Sequence, residues 1–381
     1  MAINCRKDFP CLGKKIYFDS SCMSLRPRQV IDAMNGYYEK NPACAGRSSH
    51  SWCREVTKQT EDARKTIAGF VGAKQDQIVF TKNTTESLNL LAYSLVRKGD
   101  LVLTSDREHN SNLVPWLFAR ERGVKHMAVP SSKDETFDLE KFAEMVKGSR
   151  LVSVVHTSNL DGYTLPIKEI IKIAHEANVL VAVDAAQAVP HHKINVRKLG
   201  ADFLAFSGHK MLGPPLGVLY GKELERLSPF ILGGDTVKKT TYDSYELMDG
   251  ARRLEAGLQN YPGIIGLAAA CRYLGKIGMD KIEKHELELG KQMRTGLEQL
   301  GMKVLGPTVT GINSFIPKID VGDAGLMLNE MGVMVRTGQH CCHSWFNSRK
   351  LKGSVRASLY LYNTKEEVNI FLEKMKMIAK M

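Results

Sequence analysis

A single lysine, Lys210, lies at the centre of the stretch of this sequence that is richest in chemically useful residues. Apolar runs at Phe203–Phe206 and Leu216–Tyr220 flank it, and both have the pattern of buried strands. Ser207, His209 and several glycines and prolines fill the interval and interrupt regular structure. A lysine held where a buried strand ends loses hydration, which favours its neutral amine. A neutral amine can form a Schiff base with an aldehyde, although a solvated lysine in a turn explains this segment equally well.

A carboxylate precedes this lysine at a spacing that suits the same chemistry. The apolar run 179–184 ends in Asp184, and 210 − 184 = 26 residues separate it from Lys210. A site for pyridoxal phosphate (PLP) needs an anion against the pyridine nitrogen, so that the protonated ring withdraws electrons from the substrate. Asp184 alone could equally cap a helix. The pair is more specific than either residue, and it predicts a PLP site.

Composition and charge limit the class of protein. The 381 residues are 43% hydrophobic and 25% charged, which is enough for a sizeable core and for two domains. The formal net charge of +12 is spread among acids without a basic tail, so we expect no nucleic-acid partner. The sequence has neither an apolar leader nor a long uncharged apolar stretch, which predicts a cytoplasmic protein without a membrane partner. The eight cysteines form no C-x-x-C pair, and we expect reduced thiols rather than disulfides or structural zinc.

Strand and helix patterns alternate along most of the chain. This alternation predicts an α/β fold with a mostly parallel seven-stranded sheet sandwiched by helices, followed by a smaller α+β unit. The predicted domains are 16–270 and 271–381, with the arm 1–15 packing on the second. The run 216–220 follows Lys210 too closely for a helical crossover, so we expect an antiparallel strand at a sheet edge. The other strands are predicted at 77–80, 101–104, 126–129, 151–156, 179–184 and 203–206.

Polar residues follow these strands at the point where each one ends. In open α/β sheets, ligands bind outside the carboxyl ends of the strands. Thr84 and Thr85 lie where a helix begins, so its free N–H groups and their hydroxyls would cradle an anion, or simply cap the helix. The other members of this set are His109, Asn159, Asp184, Gln187, Ser207, His209 and Lys210.

With these residues in place, the sequence resembles the class V aminotransferase family of PLP enzymes, which have fold type I. Within this family it is most similar to the Suf-type (group II) cysteine desulfurases. The resemblance covers nearly the whole chain. Its most specific motifs are Glu108-His109-Asn-Ser-Asn-Leu-Val-Pro-Trp116, Val183-Asp184-Ala-Ala-Gln187, Ser207-Gly-His-Lys210, Arg253-Leu-Glu-Ala-Gly257, Arg336-Thr-Gly-Gln-His340-Cys341 and Val355-Arg356-Ala-Ser.

The resemblance implies a role for each matching residue. Lys210 would carry PLP, Asp184 would pair with the pyridinium nitrogen, and His109 would stack on the ring. Arg356 would grip the substrate carboxylate through its bidentate guanidinium. Cys341 would be the nucleophile that takes sulfur. The remaining cofactor contacts would come from Thr84, Thr85, Ser207 and His209 around the phosphate, and from Gln187 and Asn159 toward the ring or the substrate.

The implied reaction converts L-cysteine to L-alanine and leaves sulfur on Cys341 as a persulfide. This sulfur would supply the assembly of iron–sulfur clusters or other sulfur-containing cofactors, through a protein acceptor or scaffold, and the enzyme would be a homodimer. Only 356 − 341 = 15 residues separate Cys341 from Arg356, as in group II members. Two alternatives remain open: a selenocysteine lyase or other PLP-dependent C–S lyase, and a non-enzymatic scaffold or sulfur carrier that kept the fold.

Three features of the sequence depart from the family pattern. Leu258 replaces a threonine that would contact the phosphate of the second subunit, and Gln339 replaces a histidine before His340. Cys342 and His343 follow Cys341 directly, but adjacent cysteines chelate poorly, so we expect no metal site. We expect Cys341 to take the sulfur, with His340 or the cofactor site favouring its thiolate. Cys342 would point elsewhere if the segment is extended, and it would be either buried or a resolving thiol.

Overall fold

The structure, a computed structural model, describes residues 3–380. Its strands are β1 (Ile16–Tyr17), β2 (Ile78–Thr81), β3 (Leu101–Ser105), β4 (Lys125–Val129), β5 (Leu151–Val155), β6 (Leu180–Asp184), β7 (Phe203–Ser207), β8 (Gly217–Gly221), β9 (Val237–Thr240), β10 (Tyr245–Leu247), β11 (Lys303–Val304), β12 (Ile312–Ile316), β13 (Val333–Met334), β14 (Arg336–Gly338) and β15 (Ser354–Ser358). Its helices are α1 (Arg28–Lys40), α2 (Ser51–Phe70), α3 (Thr84–Leu95), α4 (Val114–Ala119), α5 (Leu139–Met145), α6 (Ile167–Glu176), α7 (Ala188–His191), α8 (Val196–Leu199), α9 (Tyr261–Ile277), α10 (Met279–Gln299), α11 (Val321–Glu330), α12 (His343–Ser348) and α13 (Lys365–Ile378).

Seven strands form the main sheet in the order β2-β8-β7-β6-β5-β3-β4, which confirms the predicted sheet. All neighbouring strands are parallel except at β8, which is antiparallel to both β7 and β2. The expectation that β8 lies at an edge is wrong, because β2 pairs with its other side. The short connection after Lys210 forces β8 to run antiparallel to β7. It does not determine which strand pairs with the other edge of β8.

The residues of the central strands explain why helices cover both faces. Val181 and Val183 of β6 pack into one apolar core, whereas Ala182 between them faces the other. The first core includes residues of α2, α6 and α9, and the second includes residues of α3 and α4. Since successive side chains of a strand point to opposite faces, an unbroken apolar run requires cover on both sides.

A four-stranded antiparallel sheet of order β11-β12-β15-β14 organises the C-terminal part of the chain. Phe315 of β12 packs with Leu289 of α10 and Phe371 of α13 in a core of its own. The early strand β1 joins this part by pairing in parallel with β13. β14 and β15 carry Arg336 and Arg356, so the smaller sheet delivers two arginines toward the rim of the larger one.

The N-terminal residues contact both parts of the molecule. Arg6 forms an ion pair with Glu367 of α13 at 2.6 Å, and Tyr273 of α9 donates a hydrogen bond to Asp8 at 2.8 Å. The division into 16–270 and 271–381, with the arm on the second unit, stays a prediction. Within residues 3–380, no helix is long and apolar enough to cross a bilayer.

Candidate active site

A cavity of about 220 Å³ lies at the carboxyl ends of the parallel strands, beside the start of α3. β15 and β14 of the smaller sheet close its other side with Arg356 and Arg336. The predicted site residues line this cavity with one exception, Cys341. Those that line it are Thr84, Thr85, His109, Asn159, Asp184, Gln187, Ser207, His209, Lys210 and Arg356.

Lys210 and Asp184 form a coupled pair of opposite charge in the cavity. Lys210 ends a one-turn 3-10 helix directly after β7, and Asp184 is the last residue of β6. Burial lowers the pKa of Lys210, against the opposing effect of the Asp184 charge. Burial likewise raises the pKa of Asp184, while Lys210 acts in the other direction. The lysine therefore loses its proton more readily than a solvated one, as nucleophilic chemistry requires.

His109 is held as a neutral ring. Its Nδ1 accepts a hydrogen bond from the backbone N–H of Ser111 at 3.0 Å, so a neutral ring carries its proton on Nε2. Burial, and then the positive charge of Lys210, lower the pKa of His109 to about 3. A neutral ring of fixed tautomer can lie against an aromatic ligand without bringing a second positive charge into the site.

Glu108, next to His109, holds this part of the rim together. Its Oε1 accepts a hydrogen bond from the N–H of Val155 at 3.0 Å, and its Oε2 accepts one from Asn112 Nδ2 at 2.6 Å. Burial outweighs these hydrogen bonds and raises the pKa of Glu108 to about 8. Glu108 thus ties the end of β3 to the end of β5, a role that the sequence analysis did not assign.

The start of α3 carries the polar groups predicted to cradle an anion. Asn83 caps the helix by accepting the N–H of Glu86 at 3.0 Å. Thr84 donates its N–H to Ser207 Oγ at 2.9 Å, which joins the helix to the end of β7. The hydroxyls of Thr85 and Ser111 lie 2.7 Å apart. Hydroxyls and a positive helix end next to a neutral His209, whose pKa burial lowers to about 4, are typical of a phosphate site.

Arg356 lines the cavity, and 1% of its surface is exposed. Its Nη1 donates to the carbonyl of Asn159 at 2.9 Å, and its Nη2 donates to Asp19 Oδ1 at 3.2 Å. Burial lowers the pKa of Arg356, and the Asp19 charge opposes this. The buried Nε has no partner among residues 3–380, so the guanidinium keeps a donor for a ligand.

Cys341 does not line the cavity itself but contacts Arg336, which does. It lies on a turn with positive φ angles. His340 and Cys341 have φ of 50° and 59°, a left-handed conformation that costs non-glycine residues energy. Two hydrogen bonds to the rim hold the turn, from Asn110 N–H to the Cys341 carbonyl at 2.7 Å and from Asn159 Nδ2 to the His340 carbonyl at 2.8 Å. The thiol is half-buried, and its cationic neighbour is Arg336, whose Nη2 donates to Sγ at 3.8 Å.

Of the two groups predicted to favour the Cys341 thiolate, His340 and the cofactor site, His340 does not supply a positive charge. Burial and the nearby Arg356 and Arg336 lower the pKa of His340 to about 2, so the ring is neutral. Its Nε2 bonds with Ser354 Oγ at 2.8 Å, which makes it a structural support for the turn.

Cys342 is buried, which was one of the two predicted possibilities. The cause is not the extended segment on which that prediction was based. The segment is a turn into α12 rather than an extended strand, and it directs the Cys342 side chain into the apolar cluster of Trp345 and Phe346. Its Sγ donates to Asn159 Oδ1 at 3.3 Å. Burial raises the pKa of Cys342 to about 12, so this residue is an unreactive thiol.

Among the cavity residues that were not predicted are Cys22 and Arg336. Both line the cavity, and Arg336 Nη1 donates to Cys22 Sγ at 3.0 Å. The position of these two residues was the only feature of the sequence that could have indicated their role. Cys22 lies in the turn after β1, and Arg336 begins the motif that ends in Cys341. Among residues 3–380 no group of three or more His, Cys, Asp or Glu side chains is placed to hold a metal ion, and all eight cysteines are free.

The residues present fit PLP. Several buried polar atoms lack partners within residues 3–380 and belong to cavity residues, among them Gln187 Oε1, Ser21 Oγ and Arg356 Nε. Together with an amine, a buried carboxylate and an anion cradle, they form a donor and acceptor set for a polar ring with a phosphate.

Comparison with known proteins decides the family. The model of the aminotransferase class-V family matches residues 16–371. The chain belongs to this family. A probable cysteine desulfurase from Pyrococcus abyssi is 41% identical over 388 residues, which cover 98% of this chain and 97% of the relative.

Solved structures agree in fold over the whole length of the chain. The apo structure of a cysteine desulfurase from Thermococcus onnurineus superposes with a TM-score of 0.96 at 39% identity and covers all of both chains. A cysteine desulfurase from Escherichia coli, in an S-sulfonic acid form, gives a TM-score of 0.93 at 31% identity and covers 98% of this chain and 97% of that one. These likenesses confirm the PLP fold type I architecture that the sequence predicts.

Proposed function

We propose that this protein is a PLP-dependent cysteine desulfurase, which converts L-cysteine to L-alanine and leaves the sulfur on Cys341. The proposal depends mainly on one observation. The Lys210–Asp184 pair, on the rim of the large sheet, lines the same cavity as Arg336 of the small sheet, and Arg336 contacts Cys341. The full-length similarity to cysteine desulfurases supports the choice of substrate.

The cavity residues would hold the cofactor by complementary charge. Asp184 would face the ring nitrogen, the neutral His109 would lie on the ring, and Gln187 would use its unpartnered Oε1. When bound, PLP would supply an electron sink for a negative charge at the substrate Cα. Thr84, Thr85, Ser207 and His209 would bind the phosphate at the start of α3.

The chain's own residues divide the remaining work. Arg356 would bind the substrate carboxylate through the face that carries its free Nε. Lys210 Nζ would take the proton from Cα and return a proton to the product, which its lowered pKa favours. Cys341 Sγ would attack the substrate sulfur, so that the C–S bond breaks as a new S–S bond forms. The products balance as alanine and one persulfide, without an external oxidant.

The surface beside the site supports a homodimer. Leu258 is 64% exposed, and it shares a groove of about 280 Å³ with the exposed Phe230 and Ile231. Exposed apolar groups of this kind are typical of a subunit interface. We propose that a second copy of the chain covers them.

The short path from Cys341 to Arg356 favours the group II type of desulfurase. The six-residue α12 is the only helix between Cys341 and Arg356, so Cys341 is held near the rim rather than on a long loop. A protein acceptor would then have to approach Cys341 closely to take the sulfur.

Two substitutions with separate readouts test the proposed function. Lys210→Ala should remove any borohydride-trappable link to PLP and slow alanine formation by at least roughly 10²–10⁴-fold. Cys341→Ser should keep the trappable link at Lys210 but lose alanine and sulfide formation from L-cysteine, and Cys11→Ser serves as a control at an exposed thiol.

Other results would contradict the proposal. Trapping of PLP at another lysine would refute the assignment of Lys210. Undiminished cysteine turnover in Cys341→Ser would favour a C–S lyase. Rapid turnover of selenocysteine with little turnover of L-cysteine in the unaltered protein would favour a selenocysteine lyase.

A further inference from the structure

The cavity is lined by a cysteine, Cys22, that the proposed function does not use. Cys22 lines the cavity together with Lys210 and Arg356, and its side chain is half-buried rather than enclosed. It differs in this respect from Cys342, which is fully buried and unreactive. Among the thiols near the reacting groups, Cys22 and Cys341 are therefore the two that a sulfur atom can reach.

One guanidinium contacts both of these thiols. Arg336 Nη1 donates to Cys22 Sγ at 3.0 Å, and its Nη2 donates to Cys341 Sγ at 3.8 Å. The thiolate is the nucleophilic form of cysteine, and this guanidinium offers a positive charge to whichever of the two sulfurs carries the negative charge during an exchange. Because both nitrogens belong to one planar, rigid guanidinium, the two sulfurs contact the same side-chain group.

The backbone around Cys22 is fixed by the elements that form the site. Ser21 donates its N–H to Ser358 Oγ at 3.0 Å, and its carbonyl accepts a hydrogen bond from Gln187 Nε2 at 2.7 Å. Asp19, at the start of this turn, forms an ion pair with Arg356. Ser21 Oγ is buried and unpartnered within residues 3–380, so a polar group that the chain does not supply has a place beside Cys22.

We propose that Cys22 is a second sulfur-carrying residue, which takes the outer sulfur from the Cys341 persulfide. This inference rests on the proposed function, because desulfuration of cysteine has to load Cys341 first. The Cys22 thiolate attacks the outer sulfur of Cys341–S–SH and forms a new S–S bond. The bond between that sulfur and Cys341 Sγ breaks, and its electron pair returns Cys341 to the thiolate. The step is a thiol exchange in which no electrons are gained or lost overall.

The transfer has a consequence for stoichiometry. Once its sulfur has moved to Cys22, Cys341 is free for another turnover while the first sulfur is still on the protein. Without a reductant or acceptor, each active site then forms about twice as much alanine in its initial burst as a site with one sulfur-carrying residue.

The test combines burst kinetics with mapping of the added sulfur. The holoenzyme is mixed with L-cysteine without reductant, quenched with an alkylating agent at increasing times, digested and analysed by mass spectrometry. The extra sulfur should occur first on Cys341 and then on Cys22. Cys22→Ser and Cys22→Ala should each reduce the alanine burst about twofold, whereas Cys11→Ser should leave it unchanged.

A second readout needs no cofactor. In cofactor-free protein, iodoacetamide should alkylate both Cys22 and Cys341, and Arg336→Gln should slow both reactions roughly tenfold at neutral pH by removing the shared cation. Arg349→Gln is the matched control, because Arg349 lies in the connection from β14 to β15 but pairs with Asp106 and stacks on Trp345 instead.

The outcomes separate this inference from the proposed function. Alanine formation with sulfur on Cys341 but never on Cys22 overturns the inference alone. A disulfide between Cys22 and Cys341 with release of sulfide also overturns it, since the attack then falls on the inner sulfur. If neither alanine nor added sulfur is found, the proposed function itself fails. The mapping uses the unaltered protein, so it decides the question even if a Cys22 variant does not fold.

Discussion

The rim of the large sheet and the segment 336–356 hold their functional residues in different ways. On the rim, Asp184 and Ser207 are the last residues of buried parallel strands, and their backbones are fixed by the sheet. In the segment 336–356, Cys341 lies on a left-handed turn that is held by hydrogen bonds to Asn110 and Asn159, more than a hundred residues earlier in the chain.

This difference suggests a division of labour between the two regions. The rim carries the lysine, the carboxylate and the anion cradle, which together suit the binding of the cofactor. The segment 336–356 brings Arg356, a cysteine and a second arginine, which suit the proposed binding of the substrate carboxylate and the proposed capture of sulfur. Changes in the segment should therefore affect the substrate and the sulfur while leaving cofactor attachment intact.

After Cys341 itself, the largest effect within the segment is expected for Arg356→Gln. The loss of a charge-assisted hydrogen bond to the substrate carboxylate costs about 1.5–3 kcal/mol, so KM for L-cysteine should rise roughly 10–100-fold. Steady-state kinetics measure the change, and borohydride trapping at Lys210 should be unaffected. Arg356→Lys should not restore a low KM, because an ammonium cannot form the bidentate contact.

A control is needed because Arg356 also holds Asp19 and the carbonyl of Asn159. Arg349→Gln removes an arginine from the same segment outside the cavity, and it should leave KM unchanged. A normal KM in the Arg356→Gln protein would contradict the division of labour. Loss of PLP attachment in that variant would contradict it as well, because the two regions would then not act separately.

The rim was the part that could be predicted from the sequence. Its residues follow strands with unbroken apolar runs, and such strands place their carboxyl ends at one edge whatever their order in the sheet. The order itself depends on pairing between distant strands, which is why β8 was predicted at an edge and was found beside β2.

The contacts of the segment 336–356 could not be predicted in the same way. Cys22 and Arg336 are 314 residues apart, and no local pattern shows that they meet. Cys342 was expected to turn away because strands alternate, whereas a turn and a short helix direct it into a core. Local patterns predicted which residues could do chemistry, but only the packing of the small sheet on the large one shows which of them touch.

Leu258 belongs to neither region, so it tests whether a second copy of the chain completes the site. Its exposed side chain lines a groove of mixed polar and apolar residues and not the cavity. If a dimer brings this position to the phosphate of its partner, Leu258→Thr should add one hydrogen bond to a charged group. That bond is worth about 1.5–3 kcal/mol, so PLP should be lost roughly 10–100-fold more slowly on dialysis.

Absorbance of the dialysed protein measures the loss, and light scattering gives the oligomeric state. Leu326→Thr is a suitable control, because Leu326 is also exposed but lies on α11 of the smaller unit. Faster loss of PLP from Leu258→Thr, or a fully active monomer, would exclude this role.

The smallest effect is expected for Cys342→Ser, which separates the two neighbouring cysteines within the segment 336–356. The serine hydroxyl can still donate to Asn159 Oδ1, so the free energy of unfolding should fall by only about 1 kcal/mol and most activity should remain.

Since burial raises the pKa of Cys342 to about 12, its thiolate fraction at pH 8 is roughly 10⁻⁴. Iodoacetamide at pH 8 should therefore label Cys341 in the folded protein and leave Cys342 unlabelled until denaturant is added. Cys271, which is equally buried and has its pKa raised to about 12, should behave like Cys342 and report on the intact fold. Rapid labelling of Cys342 while Cys271 stays protected would show that the turn opens, and it would restore Cys342 as a candidate for receiving sulfur.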